Sequence, residues 1–443
     1  MQQRDVIIIG GGPAGRTIVH NLHQAGRNLS VTLIKDEKIN ANRCAVPYGI
    51  SGQKPIEKFQ VPNSLITDFG AELVVDRVTA VDVASRRVRT GQGLEFGYRH
   101  LVFATGARPV IPPIPGVEAP VIFAVRSIDD LARLRQQAAK SRRAVVIGGG
   151  YIGVEVAVVL RQMGVEVTIV EMLPQILMAT TEPEFIAKVT DTLGQNGIRI
   201  LADQKVVAFQ TRSDNGLDVM LESGLALPAD LVVLAVGVIP NTELAAAAGI
   251  LTSRLGIRVD DTMRTSAEDV YACGDCAEKR SFVTGAPTRG EFGTNAVFMA
   301  KIVAQNILGN TRRFPGVINA NAAAICDLSL GSAGLTEKMA RDAGIDAVAG
   351  LSTVLDKYPM MDHVGSIDTK LVFKRENRKL IGGSFLRADS CTAQNVDFIS
   401  LAIQMGATID DLMDYQYATH PELAAKPSDN IYTFAAKDAL SKL

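Results

Sequence analysis

Two short apolar runs predict buried strands, and each leads into a segment with helical periodicity. The runs, VIII at residues 6–9 and AVVI at residues 144–147, are each followed by a glycine-rich turn and an amphipathic stretch. Strand-like and helix-like segments continue to alternate over roughly the first three hundred residues. This alternation is typical of α/β layers, and it predicts an α/β fold with parallel sheets.

The two glycine-rich turns share the motif Gly-x-Gly-x-x-Gly. The first glycine permits a tight turn from strand to helix, the second lets a pyrophosphate approach the backbone, and the third lets the helix pack on the sheet. The N-terminus of the helix then faces the anion. The sequence therefore predicts two dinucleotide sites. Their residues are Gly10, Gly12, Pro13, Ala14 and Gly15 in the first site, and Gly148, Gly150, Tyr151, Ile152 and Gly153 in the second.

An acidic residue after the next strand indicates which nucleotide binds. Glu171 ends the strand that follows the second turn. A carboxylate there accepts hydrogen bonds from both ribose hydroxyls and repels a 2′-phosphate, so it favours NADH over NADPH. The first copy has a lysine near the corresponding place. Asp36, just beyond the lysine, is the first candidate for that ribose, and Glu37 is nearly as good.

Prolines and a change of pattern divide the chain. Residues 108–116, RPVIPPIPG, cannot run as a helix or a central strand, so they predict an extended linker with a return crossing near residues 238–241. In the last third of the chain, residues 322–330 and 370–375 predict antiparallel strands. Residues 395–405 predict a helix with an apolar face.

Composition and charge narrow the class of protein. The 443 residues carry a formal net charge of −1 without a long block of like charge, so neither nucleic acid nor an anionic membrane is expected as a partner. The chain enters its first strand at once, which leaves no room for a signal peptide, and no apolar stretch reaches the roughly 18 residues that span a bilayer. Five irregularly spaced cysteines fit a reducing compartment. We therefore expect a cytoplasmic protein that binds small molecules.

Further segments resemble the inner flavin motifs of the pyridine nucleotide-disulfide oxidoreductase family. They are LVFATGARP at residues 101–109 and DVYACGD at residues 269–275. With both glycine motifs, YIGVE at residues 151–155 and AVG at residues 235–237, the resemblance extends over nearly the whole chain. It implies an oxidoreductase with FAD and NADH as cofactors. The cofactor contacts that it implies are Ala104, Thr105, Gly106, Asp275 and Gly237.

The resemblance also implies a domain organisation. Two Rossmann-like dinucleotide-binding domains in three layers would precede a C-terminal α+β dimerisation domain, the start of which resembles SAGLTE at residues 332–337. The implied FAD domain is split, and the implied boundaries are 1–115 with 242–318 for FAD, 116–241 for NAD(P)H and 319–443 for the interface. The family's fold further implies a homodimer in which the partner's tail completes each active site.

Cys44 stands where family members carry a redox cysteine beside the flavin. Dithiol members have a second cysteine five residues later, where this chain has Gly49. The segment thus resembles the single-cysteine branch of coenzyme A-disulfide reductases, persulfide reductases, NADH oxidases and NADH peroxidases, although Asn40 and Ala41 replace the branch's Ser-Phe. A lone cysteine can carry a mixed disulfide, a persulfide or a sulfenic acid. Arg43, a further residue of the cofactor site, would favour its thiolate, as would a helix N-terminus at Cys44.

One position separates the activities of this branch. Its oxidases and peroxidases usually carry a histidine in the first glycine motif, where this chain has Pro13, which neither donates nor accepts a proton. We therefore expect NADH to reduce FAD, and the electrons to reach Cys44 and cleave a low-molecular-weight disulfide, persulfide or polysulfide. The alternatives are an NADH oxidase and an NADH-dependent reductase of a carrier protein such as rubredoxin.

The resemblance implies roles for three more side chains. Tyr151 would gate the flavin ring, Glu155 would line the site, and His420 would act as acid and base from the partner subunit. The tail offers three tyrosines as alternative proton donors, which are Tyr415, Tyr417 and Tyr432. Cys273 and Cys276 form a Cys-x-x-Cys, but zinc would need two more ligands, so we expect both to be structural and predict no metal site.

Overall fold

The computed structural model describes residues 2–213, 216–388 and 392–443. These residues form two compact units. The first unit comprises residues up to 110, residues 124–136 and residues 237–317. The second unit comprises residues 111–123, residues 137–236 and residues 318–443.

The helices are numbered in chain order. They are α1 Pro13–Gln24, α2 Val46–Gly49, α3 Ser64–Thr67, α4 Ile128–Ala138, α5 Tyr151–Gln162, α6 Pro183–Gln195, α7 Glu243–Ala247, α8 Gly293–Ile307, α9 Glu337–Asp342, α10 Thr392–Met405, α11 Ile409–Asp414 and α12 Ile431–Leu440. Short 3₁₀ turns occupy Arg43–Ala45, Ile56–Phe59 and Gly274–Cys276.

The strands are numbered in the same way. They are β1 Gln2–Ile9, β2 Val31–Lys35, β3 Asn40–Ala41, β4 Gln60–Val61, β5 Glu72–Val75, β6 Val78–Asp82, β7 Arg87–Thr90, β8 Glu95–Phe103, β9 Ala107–Pro109, β10 Ile122–Ala124, β11 Arg143–Ile147, β12 Glu166–Val170, β13 Ile198–Leu201, β14 Val206–Thr211, β15 Leu217–Leu221, β16 Ala226–Ala229, β17 Leu231–Leu234, β18 Val238–Pro240, β19 Thr252–Ser253, β20 Gly256–Ile257, β21 Val270–Ala272, β22 Lys279–Arg280, β23 Pro287–Thr288, β24 Asn321–Ile325, β25 Leu328–Gly334, β26 Ala347–Leu355, β27 Ser366–Lys374 and β28 Leu380–Arg387.

The first unit is built on a sheet in the order β5-β2-β1-β8-β7-β6, with β21 paired to β8. Strands β5, β2, β1, β8 and β21 run parallel, whereas β6 and β7 form an antiparallel extension. The predicted apolar run at residues 6–9 is at most 6% exposed, because β1 lies inside the sheet and shares one hydrophobic core with buried residues of α1 and α8. The first glycine turn therefore lies at the carboxyl end of a central parallel strand, where nucleotides bind in such folds.

The second unit contains two main sheets. One has the order β10-β17-β11-β12-β13, with β17 to β13 parallel, and the second glycine turn joins its central strand β11 to α5. The other is antiparallel in the order β24-β25-β28-β27-β26, and α10 and α12 pack on it. A small antiparallel sheet of β14, β15 and β16 accompanies the parallel one.

Most predicted elements occur where the sequence places them, with one difference. The proline-rich linker and its return crossing pair with each other as β9 and β18. Residues 322–330, predicted as a strand, instead form a hairpin, because β24 ends at Ile325 and β25 begins at Leu328. Cys326, in the tight turn between them, has a left-handed φ of 55°. Among the described helices, none has the length and apolarity needed to cross a membrane.

Candidate active site

The first glycine turn has the geometry that the motif predicts. Gly10 has a φ of 118°, and a side chain there would collide with the carbonyl oxygen of Ala104. A side chain at Gly15 would collide with the carbonyl oxygen of Gly10, so this glycine lets α1 approach the turn. Gly12 faces open space, and α1 begins directly after it with Pro13. The turn therefore forms an open cradle at a helix N-terminus, which fits a pyrophosphate.

The second glycine turn repeats this arrangement. Gly148 has a φ of 104° and lies against the carbonyl oxygen of Ala235, and Gly153 lies against the carbonyl oxygen of Gly148. Gly150 faces open space in front of α5. The hydroxyl of Tyr151, the first residue of that helix, is buried without a hydrogen-bond partner in the described residues. A buried unpaired hydroxyl beside an open cradle fits a bound dinucleotide that would supply the missing partner.

Glu171 lies at the end of β12, beside the second cradle. Its Oε2 atom accepts a hydrogen bond of 2.6 Å from the backbone nitrogen of Gly149, and its Oε1 atom accepts one of 2.8 Å from Leu173. Two backbone bonds fix the carboxylate at the place predicted for the ribose. Its predicted role, which is to bind the ribose and to repel the 2′-phosphate of NADPH, stays a prediction.

The first unit has a lysine at the equivalent position. In β1 and β2, Ile9 pairs with Ile34, just as Ile147 pairs with Val170 in β11 and β12. Lys35 therefore corresponds to Glu171. Asp36 is exposed and Glu37 is half-buried, and both lie beyond this position. Which residue binds the first ribose stays a prediction.

Three arginines converge beside the first cradle. The guanidinium groups of Arg126 and Arg43 flank Gly106, which has a φ of 69°, and the Nε atom of Arg16 lies 3.4 Å from the carbonyl oxygen of Gly12. Burial, and then the charge of Arg43, lower the pKa of Arg126 to about 10. The same two causes lower the pKa of Arg16. This excess of half-buried positive charge fits an anion such as the pyrophosphate of FAD.

Asp275 and the segment that contains Thr105 and Gly106 complete the first site. Thr105 and Asn241 exchange two hydrogen bonds of 2.8 Å, and the nitrogen of Asn241 donates to the carbonyl oxygen of Gly106. These bonds hold the segment at the end of β8. Burial raises the pKa of Asp275, while the charge of Lys279 opposes this rise. Gly237, with a φ of 96°, faces open space directly before the return crossing.

Cys44 lies in the 3₁₀ turn Arg43–Ala45 and is exposed. The helix that follows, α2, begins only at Val46 and has four residues, so Cys44 does not lie at its N-terminus and its dipole adds little there. A cavity of about 440 Å³ opens next to the turn. Its lining residues are Ala45, Lys54, Pro55, Lys58 and Phe59.

Tyr151 and Glu155 lie four residues apart on α5 and are both half-buried, so they share one face of the helix. Ile152 is 44% exposed. These residues belong to the second unit, whereas Cys44 belongs to the first. The predicted site residues thus divide into one group around Cys44 in the first unit and another around Tyr151 in the second.

His420 lies in an exposed loop between α11 and α12. Its Nδ1 atom accepts a hydrogen bond of 3.2 Å from the backbone nitrogen of Glu422, which leaves the Nε2 atom of a neutral ring to carry the proton. The carbonyl oxygen of Pro421 accepts a hydrogen bond of 3.0 Å from Tyr358. These contacts give His420 a turn-capping role, and its catalytic role stays a prediction.

The three tail tyrosines differ in burial. Tyr432 is 7% exposed and accepts a hydrogen bond from Asn395. Burial raises the pKa of Tyr415 to about 12. Tyr417 is 39% exposed and donates to the carbonyl oxygen of Pro427 over 2.6 Å. Tyr417 is therefore the most accessible of the three candidate proton donors.

The Cys-x-x-Cys pair is enclosed in the core of the first unit. Cys273 and Cys276 are both 0% exposed, and the Sγ atom of Cys276 lies within hydrogen-bond distance of the carbonyl oxygens of Phe103 and Cys273. Burial raises the pKa of both thiols. Two fully buried, protonated thiols fit a structural role. In the described part of the chain, no group of three or more acidic, histidine or cysteine side chains could hold a metal ion.

Sequence reasoning missed Arg126. No motif surrounds it, and it is one of 46 basic residues. Its burial beside Gly106 appears only when the chain returns to the first unit after β10. The sequence feature that comes nearest to indicating Arg126 is the flavin-like segment that contains Gly106. That segment marks a place where a cationic side chain is needed to bind phosphate.

Family models and known proteins match nearly the whole chain. The model for pyridine nucleotide-disulphide oxidoreductases matches residues 4–300, and that for the dimerisation domain of these enzymes matches residues 321–430. An NADH oxidase of Methanocaldococcus jannaschii is 31% identical over 99% of both chains. A CoA-dependent NAD(P)H sulfur oxidoreductase of Pyrococcus furiosus is 29% identical over 96% of this chain and 97% of its own.

A solved structure agrees with these relatives. The NAD-dependent persulfide reductase from A. fulgidus superposes with a TM-score of 0.92 and 30% identity, covering 99% of this chain and 83% of its own. The predicted fold class, the FAD and NADH cofactors and the oxidoreductase class are confirmed. The chain therefore belongs to the pyridine nucleotide-disulphide oxidoreductase family.

Proposed function

We propose that this protein is an FAD-containing, NADH-dependent reductase of low-molecular-weight disulfides, persulfides or polysulfides, with Cys44 as its redox thiol. The observation that carries the proposal is the position of Cys44. It is exposed in a turn next to Arg43, whose guanidinium group flanks the cradle at Gly106. Gly49 occupies the place of a second cysteine, so the chemistry must use one sulfur.

The residues of each unit support a site for one cofactor. Gly12, Arg16, Arg43 and Arg126 would hold the pyrophosphate of FAD in the first unit. Gly150 and Glu171 would hold NADH in the second unit. FAD, when bound, accepts a hydride from NADH and passes two electrons to sulfur.

The sulfur chemistry balances with one cysteine. The Cys44 thiolate attacks a disulfide RSSR, forms a mixed disulfide with one RS group and releases the other as RS⁻. Two electrons and one proton then cleave the mixed disulfide to the Cys44 thiolate and RSH. The hydride from NADH supplies the two electrons and the first proton. When the released RS⁻ takes up a second proton, the sum is one NADH and one proton consumed for two thiols formed. His420 or Tyr417 of a second subunit would supply the proton.

The cavity beside Ala45 supports an anionic sulfur substrate. Lys54 and Lys58 bring two ammonium groups to it, and Pro55 and Phe59 give it an apolar wall. A polysulfide, or a persulfide on an anionic carrier, combines negative charge with polarisable sulfur and suits such a lining. The names of the Pyrococcus furiosus and A. fulgidus relatives support this class of substrate.

Assembly and location belong to the same proposal. The match of residues 321–430 to a dimerisation domain supports a homodimer. We propose the domain boundaries 1–115 with 242–318 for FAD, 116–241 for NAD(P)H and 319–443 for the interface. Residues 124–136 of the middle segment, which include Arg126, belong to the first unit and would contribute to the FAD site. Five irregularly spaced cysteines support a reducing, cytoplasmic location.

Stopped-flow oxidation tests the function. Enzyme reduced anaerobically with one equivalent of NADH is mixed with polysulfide, with a small disulfide or with oxygen, and flavin absorbance is followed. We expect sulfur compounds to reoxidise the flavin faster than oxygen does. Rapid reoxidation by oxygen without a response to either sulfur compound would refute the proposal.

An NADH oxidase is the second candidate, because the Methanocaldococcus jannaschii relative carries that name. Pro13 counts against it, since this residue offers no proton donor or acceptor at the first glycine turn. Reduction of a carrier protein is the third candidate. It predicts that Cys44 takes no part in turnover.

Glu171 provides a test of nucleotide preference. We expect Glu171→Gln to raise the KM for NADH about tenfold, because the amide loses the charge and places a donor against the N–H of Gly149 or Leu173. The ratio of NADPH to NADH efficiency should rise as well, because the charge that repels a 2′-phosphate is gone. Steady-state kinetics with both nucleotides measure this change.

Glu166→Gln is the matched control. Glu166 is exposed at the opposite end of the same strand, so its loss should change neither KM. If the ratio of NADPH to NADH efficiency were unchanged in Glu171→Gln, Glu171 would not determine the nucleotide preference.

A further inference from the structure

Lys35 has an unusual place in the first unit. It corresponds by strand register to Glu171 of the second, yet it is 4% exposed and its ammonium group is bound by side chains. Its Nζ atom donates to Oδ1 of Asn40 over 2.7 Å and to Oδ1 of Asn63 over 2.6 Å. A buried lysine of this kind requires such partners, since burial lowers its pKa.

A chain of hydrogen bonds leads from this lysine to the residue before Cys44. The Nδ2 atom of Asn40 donates to Oε2 of Glu37 over 2.8 Å. The other carboxylate oxygen of Glu37 accepts from Nη2 of Arg43 over 3.1 Å. Lys35, Asn40, Glu37 and Arg43 therefore form a continuous relay.

The glycine turn leaves room for this relay. A Cβ atom at Gly11 would lie 2.6 Å from Cδ of Lys35 and 2.9 Å from Oδ1 of Asn40. The two side chains thus occupy the space that any larger residue at position 11 would take. This explains a glycine at a position that the dinucleotide motif leaves free.

We propose that Lys35 is a positioning residue that acts through Asn40 and Glu37 to hold Arg43 in place beside Cys44, and thereby favours the Cys44 thiolate. The inference rests on the proposed function, because it takes Cys44 as the reacting thiol.

The charges around Arg43 show why it needs an anchor. The Arg16 and Arg126 cations repel it, and the carboxylates of Glu37 and Asp275 attract it. Only Glu37 among these has a hydrogen bond to Arg43 that the structure resolves. Glu37 keeps its orientation because Lys35 binds Oδ1 of Asn40 and thereby turns the amide Nδ2 toward the carboxylate.

Loss of Lys35 should disfavour the thiolate form of Cys44. Without the ammonium group, Oδ1 of Asn40 loses the donor that fixes the orientation of the amide. The Nδ2 atom of Asn40 is then no longer held toward Glu37. Glu37 then no longer holds Arg43 in one position beside Cys44. The loss of this fixed position weakens the positive field that favours the thiolate.

The test is the pH profile of Cys44 alkylation in the FAD-loaded protein. Iodoacetamide labelling is followed by mass spectrometry of the Cys44 peptide, so the other cysteines do not contribute. We expect Lys35→Met to move the midpoint to higher pH and to slow labelling at pH 7 about threefold. Asn40→Leu, which interrupts the relay without changing charge, should shift the midpoint in the same direction.

Three further variants separate positioning from charge or folding. Lys38→Met removes an exposed nearby charge, and Asn63→Ala removes a partner of Lys35 outside the relay, so neither should shift the midpoint. Lys35→Arg keeps charge and donors and should restore most of the labelling rate. Equal shifts in Lys35→Met and Lys38→Met, or an unchanged midpoint in Asn40→Leu, would overturn the proposal. Labelling involves no sulfur substrate, so this result is independent of the stopped-flow test of function.

Discussion

Cys44→Ser is expected to lower NADH-dependent reduction of polysulfide or disulfide by about a thousandfold or more. A serine hydroxyl is not ionised near neutral pH and cannot form the mixed disulfide with substrate. Gly49 offers no second thiol in this segment, so no neighbouring group can replace the lost sulfur. Steady-state consumption of NADH with each acceptor, measured without oxygen, determines the loss.

The same variant should keep its first half-reaction. The residues that hold the cofactors are unchanged, so NADH should still bleach the flavin absorbance at close to the wild-type rate. Cys326→Ser is the matched control, because Cys326 is a partly exposed cysteine of the second unit whose thiol pKa is raised by burial. Undiminished turnover of Cys44→Ser with every acceptor would instead favour reduction of a carrier protein.

Local sequence was sufficient to predict the backbone geometry of the two glycine turns. At Gly10 and Gly148 a positive φ and a close carbonyl oxygen exclude any side chain, so the motif reports backbone geometry directly. Glu171 was predictable for the same reason, because the length of one strand and one helix fixes where the next strand ends. These features depend on contacts within a single strand-turn-helix unit.

Features that depend on distant contacts were not predictable. Arg126 reaches the first cradle only through the return of the chain to the first unit. In the sequence, Lys35 is only a lysine at a place where an acidic residue is expected. Its hydrogen bond to Asn63 joins residues 28 positions apart. The hairpin at residues 322–330 was missed because the turn at Cys326 contains neither glycine nor asparagine, the residues that usually mark a left-handed turn.

The surroundings of the candidate proton donors in the C-terminal tail could not be predicted from the sequence. His420 lies in a loop where its ring accepts a backbone hydrogen bond, a contact that sequence could not distinguish from a catalytic one. The burial that separates Tyr417 from Tyr432 follows from packing on the C-terminal antiparallel sheet. Such packing depends on the whole of α12 rather than on the residues around each tyrosine.

Lys370 in β27 is the centre of a buried ion cluster in the second unit. It is 4% exposed, and its Nζ atom lies 3.2 Å from Glu182, 3.0 Å from Glu184 and 2.8 Å from Glu337. The side chain of Glu182 is 1% exposed, and it also accepts a hydrogen bond of 2.9 Å from the backbone nitrogen of Glu337. Lys370 therefore contacts three carboxylates, of which Glu182 is withdrawn from water and Glu337 also pairs with Arg341 over 3.8 Å.

Lys370→Met is expected to lower the free energy of unfolding by about 3–5 kcal/mol, because it leaves the Glu182 carboxylate buried without its cation. Chemical denaturation of the FAD-loaded protein, followed by circular dichroism, measures the loss. Lys338→Met is the control, since its exposed pair with Asp342 should contribute less than about 1 kcal/mol. Equal losses in the two variants would contradict the expected role of burial.

The pH dependence of this loss follows from the cluster. The hydrogen bond from Lys370 lowers the pKa of Glu337, so that part of the stabilisation is present above the unfolded pKa of about 4.3 and disappears as the pH falls through the lower folded value. Burial disfavours the Lys370 cation, but the bond to Glu337 and the charge of Glu182 outweigh it and raise the pKa of Lys370. The stabilisation that comes from the Lys370 cation is present below about pH 10.4, and it is lost only as the pH rises through the pKa of Lys370 in the folded protein. The difference between wild type and Lys370→Met should therefore be largest from about pH 5 to pH 10 and should shrink in acid.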